Sequence, residues 1–234
     1  MMKKTIKNKM YFYESFADNF DSKMNMYDTN KRLDVIFSEL LVEDISGKEL
    51  LDAGCGTGWF SKISCQRGAN VTSMDLGENL LSKVALKCES HRVVGSILDI
   101  PFEDNIFDII ISSEVIEHVP EPVKALHELF RVLKPGGKLV LTTPNKFWYF
   151  AIWIANALRL RPYQGLENWI GWHEMKKITR EIGFDQVEMR GIHLFPFVSK
   201  IFYPVLDFFH NYNKVLGPVM LNIAVVAEKP HVKF

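Results

Sequence analysis

The sequence is poor in cysteine and lacks both a charge excess and an apolar run long enough to cross a membrane. It contains only Cys55, Cys65 and Cys88, and their spacing matches no metal-binding or disulfide motif. Three reduced thiols are what we expect of a cytoplasmic protein. We expect no secretory leader either, because the lysine-rich start is not followed by the apolar core of a signal peptide.

The charge balance disfavours nucleic acid as a partner. There are 28 basic and 28 acidic residues, so the formal net charge is zero, whereas nucleic-acid-binding domains favour a basic face. At 234 residues the chain fits one domain with room for a small lid. Its alternating strand-like and helix-like segments predict an α/β fold with helices on both faces of a mostly parallel sheet.

A glycine-rich stretch at residues 49–62 predicts a ligand site. An apolar, strand-like run is followed by Gly54, Gly56 and Gly58, and helical spacing begins at Trp59. A strand, a tight glycine turn and a helix N-terminus together form a site for a nucleotide-like ligand.

Three residues around this turn indicate a cationic ligand rather than a dinucleotide. Trp59 stands where the dinucleotide motif has its third glycine, which serves close helix–strand packing. The carboxylate of Asp52 would repel a pyrophosphate but suits an ammonium or a sulfonium. Asp75 follows Gly54 by 21 residues at the end of a second strand-like run, where an acid accepts both hydroxyls of a ribose. An NAD-dependent oxidoreductase is therefore disfavoured.

The segments LLDAGCGTG and MDLGENLL resemble the class I S-adenosylmethionine-dependent methyltransferases, in particular the ubiquinone- and menaquinone-biosynthesis members of the methyltransferase type 11 group. The resemblance covers about residues 45–145. It implies one Rossmann-like domain over residues 1–234, with a seven-stranded, mostly parallel sheet whose last strand is antiparallel. It also implies an N-terminal helical cap (1–44), a cofactor-binding core (45–145) and apolar lid inserts after the fifth strand (146–171) and at 192–217.

The same resemblance implies S-adenosylmethionine as cofactor and S-adenosylhomocysteine as product. Asp52 would lie at the methionine end and Asp75 at the ribose, while Ser96 replaces the acid that the family uses near adenine. Asp99 is a candidate substitute for that acid, and Tyr11 or Tyr13 of the cap could touch the ligand. The implied cofactor-binding residues are Asp52, Gly54, Cys55, Gly56, Gly58, Asp75, Leu76, Ser96, Ile97, Asp99 and Ser113.

Glu114, Glu117 and His118 are the candidate catalytic residues. If the segment is helical, they share one face, where they could hold a divalent cation or supply a general base. The pattern E-x-x-E-H resembles ubiquinone-pathway O-methyltransferases and also small-RNA 2′-O-methyltransferases, in which it binds a metal. The latter need a further histidine downstream, and His173 is displaced from the expected place. We therefore assign no metal site and leave base, metal and pocket floor open as roles.

Aromatic and apolar residues concentrate after residue 146. Four of the five tryptophans fall within residues 148–172, and apolar segments occupy 147–158 and 192–209. Neither segment is convincing as a span, because a bilayer needs roughly 20 apolar residues. They could pack as a lid, line a pocket for an apolar acceptor, or lie in a membrane interface.

The sequence therefore predicts a cytoplasmic methyltransferase, with peripheral membrane contact left open, that acts on a small or lipid-linked acceptor at oxygen. The alternatives are an RNA 2′-O-methyltransferase with a Glu/His metal site and a non-catalytic, cofactor-binding accessory protein at a membrane. The sequence does not indicate an oligomeric state.

Overall fold

A seven-stranded sheet forms the centre of the protein in a computed structural model that describes residues 14–151, 153, 166–196 and 199–231. The described residues do not include Tyr11 or Tyr13. Of the apolar segment 147–158, they do not include residue 152 or residues 154–158. The strands are β1 Glu49–Ala53, β2 Asn70–Asp75, β3 His91–Val94, β4 Phe107–Ser113, β5 Leu133–Pro144, β6 Asp185–Ile192 and β7 Asn222–Glu228.

The strand order is β3-β2-β1-β4-β5-β7-β6. The first five strands pair in parallel, and β7 inserts antiparallel between β5 and β6. This arrangement confirms the predicted Rossmann-like sheet with its antiparallel last strand. The predicted insert at 192–217 begins one residue too early, because Ile192 still pairs with Asn222 of β7.

Helices flank the sheet on both sides. The α-helices are α1 Phe20–Lys23, α2 Met26–Asp34, α3 Trp59–Gln66, α4 Glu78–Val84, α5 Pro122–Val132, α6 Trp172–Ile182, α7 Tyr203–His210 and α8 Asn213–Leu216. A 3₁₀ helix of six residues lies at Glu14–Asn19, and single 3₁₀ turns lie at Ile116–His118, Lys146–Trp148, Lys200–Phe202 and Gly217–Val219. A π-helical turn at Val35–Leu40 continues α2.

The central strands β1, β4 and β7 are buried on both faces, as their apolar composition predicts. Leu51 and Ile110 pack with α5 and α6 on one face. Their neighbours Leu50 and Ile109 pack with the π-helical turn and α3 on the other. Alternate residues of each strand thus supply two separate cores.

The sequence from Glu78 to Glu89 predicts one helix, but in the structure α4 ends at Val84. The chain turns there, and Cys88 packs back against Val84, Leu81 and Cys55. Cys88 is partly buried there, and nothing in the local sequence predicts that the helix ends at Val84.

Acidic residues of the N-terminal cap hold it against α4 and the glycine turn. Glu14 accepts the backbone N–H of Asn79 at 3.0 Å, Asp18 pairs with Lys83 at 2.6 Å, and Asp21 pairs with Lys87 at 2.8 Å. Asp21 also accepts the indole N–H of Trp59 at 3.2 Å. The cap therefore covers the end of the sheet where β1 and β2 terminate.

Candidate active site

A cavity of about 650 Å³ lies beneath the cap at the carboxyl ends of β1, β2 and β4. This is within the range of roughly 300–1,000 Å³ typical of small-molecule sites. The predicted residues that line it are Gly54, Cys55, Gly56, Asp75, Leu76, Ser96, Ile97, Ser113, Glu114, Glu117 and His118. The structure thus brings most of the predicted cofactor-binding residues and all three candidate catalytic residues to one cavity.

The glycine turn that forms one wall requires glycine for two different reasons. Gly54 has a φ of 79°, and an added Cβ would lie 2.5 Å from a methyl group of Val115. Gly56 has a φ of 53°, and the space beside it is open as far as Phe20, 3.8 Å away. Gly54 therefore permits close packing beneath the turn, whereas Gly56 leaves its backbone accessible from the cavity.

Asp75 connects the end of β2 to this turn. Its carboxylate accepts the N–H of Gly56 at 2.9 Å and that of Gly77 at 3.1 Å. Burial raises the pKa of the Asp75 carboxyl, while the N–H bonds oppose that shift. A carboxylate has about four acceptor positions, so Asp75 can bind hydroxyl groups in the cavity while it holds the turn.

Asp52, Gly58 and Asp99 lie apart from the cavity wall, contrary to the sequence-based expectation. Gly58 is the N-cap of α3, with a φ of 86°. Asp99 is exposed, since the backbone turn at Ser96 directs it to solvent. Asp52 is buried behind the turn and accepts the Ser61 hydroxyl at 2.6 Å. The structure therefore gives Asp52 a contact with α3, whereas its contact with a ligand stays a prediction.

Replacement of Asp52 by asparagine is expected to alter how stability depends on pH. Burial raises the pKa of Asp52 to about 7, so the folded chain holds a proton that the unfolded chain releases near pH 4. The free energy of unfolding should therefore fall as the pH rises from about 4 to about 7. Denaturant titrations should show that Asp52→Asn removes part of this fall, by about 1–3 kcal/mol at pH 8. Parallel pH profiles for the two proteins would contradict the assignment.

The segment 114–118 is not the regular helix that the sequence spacing suggests. Glu114 has a left-handed φ of 57°, and only Ile116–His118 forms a 3₁₀ turn. Pro120 follows closely and disfavours helical geometry before it. Glu114, Glu117 and His118 nevertheless reach the same cavity, because the chain turns sharply where β4 ends.

His118 is held in one tautomer. Its Nδ1 lies 2.9 Å from the carbonyl oxygen of Leu166, which can only accept a hydrogen bond, so Nδ1 carries the proton. In the neutral ring Nε2 then bears the lone pair. Glu117 Oε1 lies 3.7 Å from Nε2, where its charge would stabilise the ring once Nε2 gains a proton. This arrangement suits a general base.

Glu114 and Glu117 form a buried acidic pair beside this histidine. Burial raises the pKa of each carboxyl to about 7, and the charge of Glu117 adds to the shift at Glu114. Thr143 donates to Glu117 at 3.1 Å and the Asn222 side chain donates to Glu114 at 3.0 Å. The protonation of both carboxyls therefore depends on any cation nearby.

Arg32 of α2 is the cation that faces this pair, and sequence reasoning did not identify it as a site residue. It is buried, lines the cavity, pairs with Asp28 at 2.8 Å and donates to Ser113 at 3.2 Å. Its charge opposes the rise in the pKa of both carboxyls. Asp28 and Arg32 at i and i+4 predict an ion pair, but nothing in that spacing shows that the pair reaches the site.

The cavity wall has a surplus of acid. Its carboxylates belong to Glu14, Asp75, Glu114, Glu117 and Glu167, against the single guanidinium of Arg32 among the lining residues. A sulfonium with an ammonium group is favoured in such surroundings, whereas a pyrophosphate is repelled. The residues present therefore fit S-adenosylmethionine.

His173, the nearest candidate for the further histidine of the RNA 2′-O-methyltransferases, does not join this cluster. His173 is exposed on α6 and does not line the cavity, while Glu167 does. In the part of the chain that the structure describes, no group of three or more His, Cys, Asp or Glu side chains is arranged to hold a metal ion.

Comparisons with known proteins identify relatives of this chain. A family model described as a methyltransferase domain matches residues 51–141. A ubiquinone biosynthesis O-methyltransferase of Acinetobacter baylyi is 33% identical over 65% of this chain and 69% of its own. One of Psychrobacter arcticus is 34% identical over 67% of this chain and 66% of its own. A malonyl-[acyl-carrier protein] O-methyltransferase of Serratia marcescens is 34% identical over 56% and 52%. The chain thus spans between half and about two thirds of these relatives.

Solved structures share the fold at lower identity. A methyltransferase of Thermotoga maritima matches 94% of this chain and 99% of its own with a TM-score of 0.69 at 16% identity. A phosphoethanolamine N-methyltransferase of Haemonchus contortus, solved with S-adenosylmethionine, matches 86% of this chain and 53% of its own with a TM-score of 0.61 at 19% identity. These structures show the shared fold. Family membership rests on the curated relatives: the Acinetobacter baylyi protein, 33% identical and covered over 69% of its length, shows that the chain belongs to the class I S-adenosylmethionine-dependent methyltransferases.

Proposed function

We propose that the protein transfers a methyl group from S-adenosylmethionine to an oxygen atom of a small, lipid-like acceptor. The observation that carries this proposal is the placement of Asp75 and His118 on the wall of one cavity. A residue suited to the cofactor's ribose and a residue suited to deprotonating a hydroxyl thus face the same enclosed space.

The cofactor would supply an activated methyl group on its sulfonium, so the protein has mainly to position the acceptor and manage one proton. Alignment of two reactants is itself a large part of catalysis. Asp75, the glycine turn and the buried side chain of Ile97 would hold the donor. The cap, with Phe20 over Gly56, would exclude water from it.

His118 would act as the base that takes the hydroxyl proton. The Leu166 carbonyl fixes its tautomer, and Glu117 would stabilise the imidazolium that forms. The curated relatives named above are ubiquinone biosynthesis O-methyltransferases and a malonyl-[acyl-carrier protein] O-methyltransferase. Their reactions support oxygen as the accepting atom.

The aromatic side chains of the cavity wall support an apolar acceptor. Phe20, Trp59 and Trp169 line the same cavity as His118, and Trp169 meets Tyr149 edge to face at 5.8 Å between ring centroids. An acceptor that bears a hydrocarbon chain could rest against these rings while its hydroxyl faces His118.

A transfer assay with methyl-labelled S-adenosylmethionine tests the proposal. The purified protein is incubated with a lipid extract of the cells that make it, and the products are partitioned between organic solvent and water. We expect label in the organic phase that hydriodic acid releases as methyl iodide, the behaviour of a methyl ether or ester. Label confined to the aqueous phase, or resistant to that cleavage, would contradict the proposal.

Two arms of the same assay address the alternatives. Incubation with small RNA and a divalent ion, with and without chelator, should give no chelator-sensitive labelling if the acceptor is a lipid. Calorimetry with S-adenosylhomocysteine tests the accessory-protein alternative, which predicts cofactor binding without transfer to any acceptor fraction.

A further inference from the structure

Two segments beside the cavity expose an unusual number of large apolar side chains. One follows β5, and the other connects β6 to β7. We call the exposed side chains of these two segments the apolar face, and its members are Phe147, Tyr149, Phe150, Trp153, Ile201, Phe202, Val205, Phe208, Tyr212, Val215 and Val219. The most exposed are Trp153 at 71%, Ile201 at 76% and Val215 at 78%. Exposure on this scale marks a binding surface rather than ordinary surface composition.

The two segments adjoin each other. The indole N–H of Trp148 donates to the carbonyl of Val219 at 2.9 Å. Asn145, just before the first segment, donates to the carbonyls of Pro218 and Met220 at 3.0 Å. The exposed side chains of both segments therefore belong to neighbouring parts of one surface.

The inner side of the second segment already packs against the rest of the protein. Its exposed outer side is therefore not needed for the hydrophobic core. Leu206 is buried, and the ring of Tyr203 stacks on Tyr27 at 3.6 Å between centroids. Asp207 pairs with Lys31 at 2.9 Å, and His210 bonds to Glu39 at 2.6 Å. These contacts fix α7 on the cap with its apolar side toward solvent.

The charges of the second segment are predominantly positive, since Lys200 and Lys214 are exposed at its two ends. Lys146, which begins the first segment, lies 3.7 Å from Glu174. Asp207 is the only acidic residue between 199 and 221, and Lys31 neutralises it. Apolar and aromatic side chains bordered by lysines are the composition of interfacial helices on anionic bilayers.

We infer that the apolar face docks on the surface of an anionic lipid bilayer. None of the helices that the structure describes is long and apolar enough to cross a membrane, so the contact would lie in the interface. Tyr149 belongs to the face and contacts Trp169 of the cavity wall. If the proposed function holds, this contact places the entrance for a lipid acceptor at the bilayer.

Sedimentation with vesicles tests the inference without cofactor or acceptor, so its failure is separate from a failure of methyl transfer. Vesicles of phosphatidylcholine with and without phosphatidylglycerol are compared. The wild type should sediment with the anionic vesicles and less with the neutral ones. The double substitution Ile201→Ser with Val215→Ser should weaken partitioning at least about tenfold, since each removes an exposed apolar side chain that docking would bury. Lys200→Gln with Lys214→Gln should remove the preference for phosphatidylglycerol.

Leu86→Ser is the matched control, because Leu86 is 82% exposed but lies after α4, outside the face. It should sediment like the wild type, and circular dichroism should show all variants folded. Absence of wild-type binding to either vesicle, or equal binding by Ile201→Ser with Val215→Ser, would overturn the inference. A dimer by light scattering that this double variant dissociates would assign the face to a second copy of the chain instead.

Discussion

Replacement of Asp75 by alanine is expected to weaken binding of S-adenosylhomocysteine at least about 100-fold in calorimetry. Hydrogen bonds to a charged group contribute about 1.5–3 kcal/mol each, and the variant would lose the two hydrogen bonds that the carboxylate accepts from the ribose. The variant also loses the bonds that hold the N–H groups of Gly56 and Gly77, so the glycine turn itself should loosen.

Asp99→Ala is the matched control for this experiment. It removes the same type of side chain, but Asp99 follows β3, is exposed and does not line the cavity. We expect its affinity to stay within about twofold of the wild type, since a surface substitution rarely shifts the free energy by more than about 0.5 kcal/mol. Unchanged affinity in Asp75→Ala would remove the ribose assignment, and a loss in Asp99→Ala would restore Asp99 to the site.

Replacement of His118 by alanine is expected to lower the rate of methyl transfer about 100- to 10,000-fold, the usual contribution of a general base. Affinity for S-adenosylhomocysteine should change little, because the cofactor-binding turn and Asp75 are untouched. The rate of the variant should recover in part when imidazole is added, since the cavity would then have room for the missing ring.

His127→Ala serves as the control, because His127 is exposed on α5 and does not line the cavity. Its rate should equal that of the wild type in the labelled-transfer assay. Equal rates for His118→Ala and the wild type, with no effect of imidazole, would assign His118 to the pocket wall rather than to proton transfer.

Much of the sheet could be predicted from the sequence because its central strands are buried on both faces. Three consecutive isoleucines lie within β4, and the apolar run NIAVVAE predicts a strand at Asn222–Glu228, which are the bounds of β7. The end of α4 could not be predicted, because Cys88 turns back onto Val84 through tertiary packing rather than through a local stop signal.

The candidate site could be predicted in part. Glycines and an acid at the end of a strand can be recognised from the local sequence. The sequence therefore predicts Gly54, Gly56 and Asp75 as residues of the site. Arg32 was missed because its role depends on the packing of α2 against the end of β4. Helical spacing was the wrong geometry for Glu114, because its left-handed conformation at the end of β4 cannot be read from residue type.

The antiparallel insertion of β7 has a consequence for the order in which the protein is synthesised. A ribosome makes β6 before β7, yet β6 pairs with no strand except β7 among the residues that the structure describes. Until residues 222–228 emerge, β6 therefore has no place in the sheet and β5 presents an open edge. Glu114 also lacks the amide of Asn222 until then. The nascent chain can thus form the glycine turn early. The cavity wall at Glu114 is completed only when β7 joins the sheet.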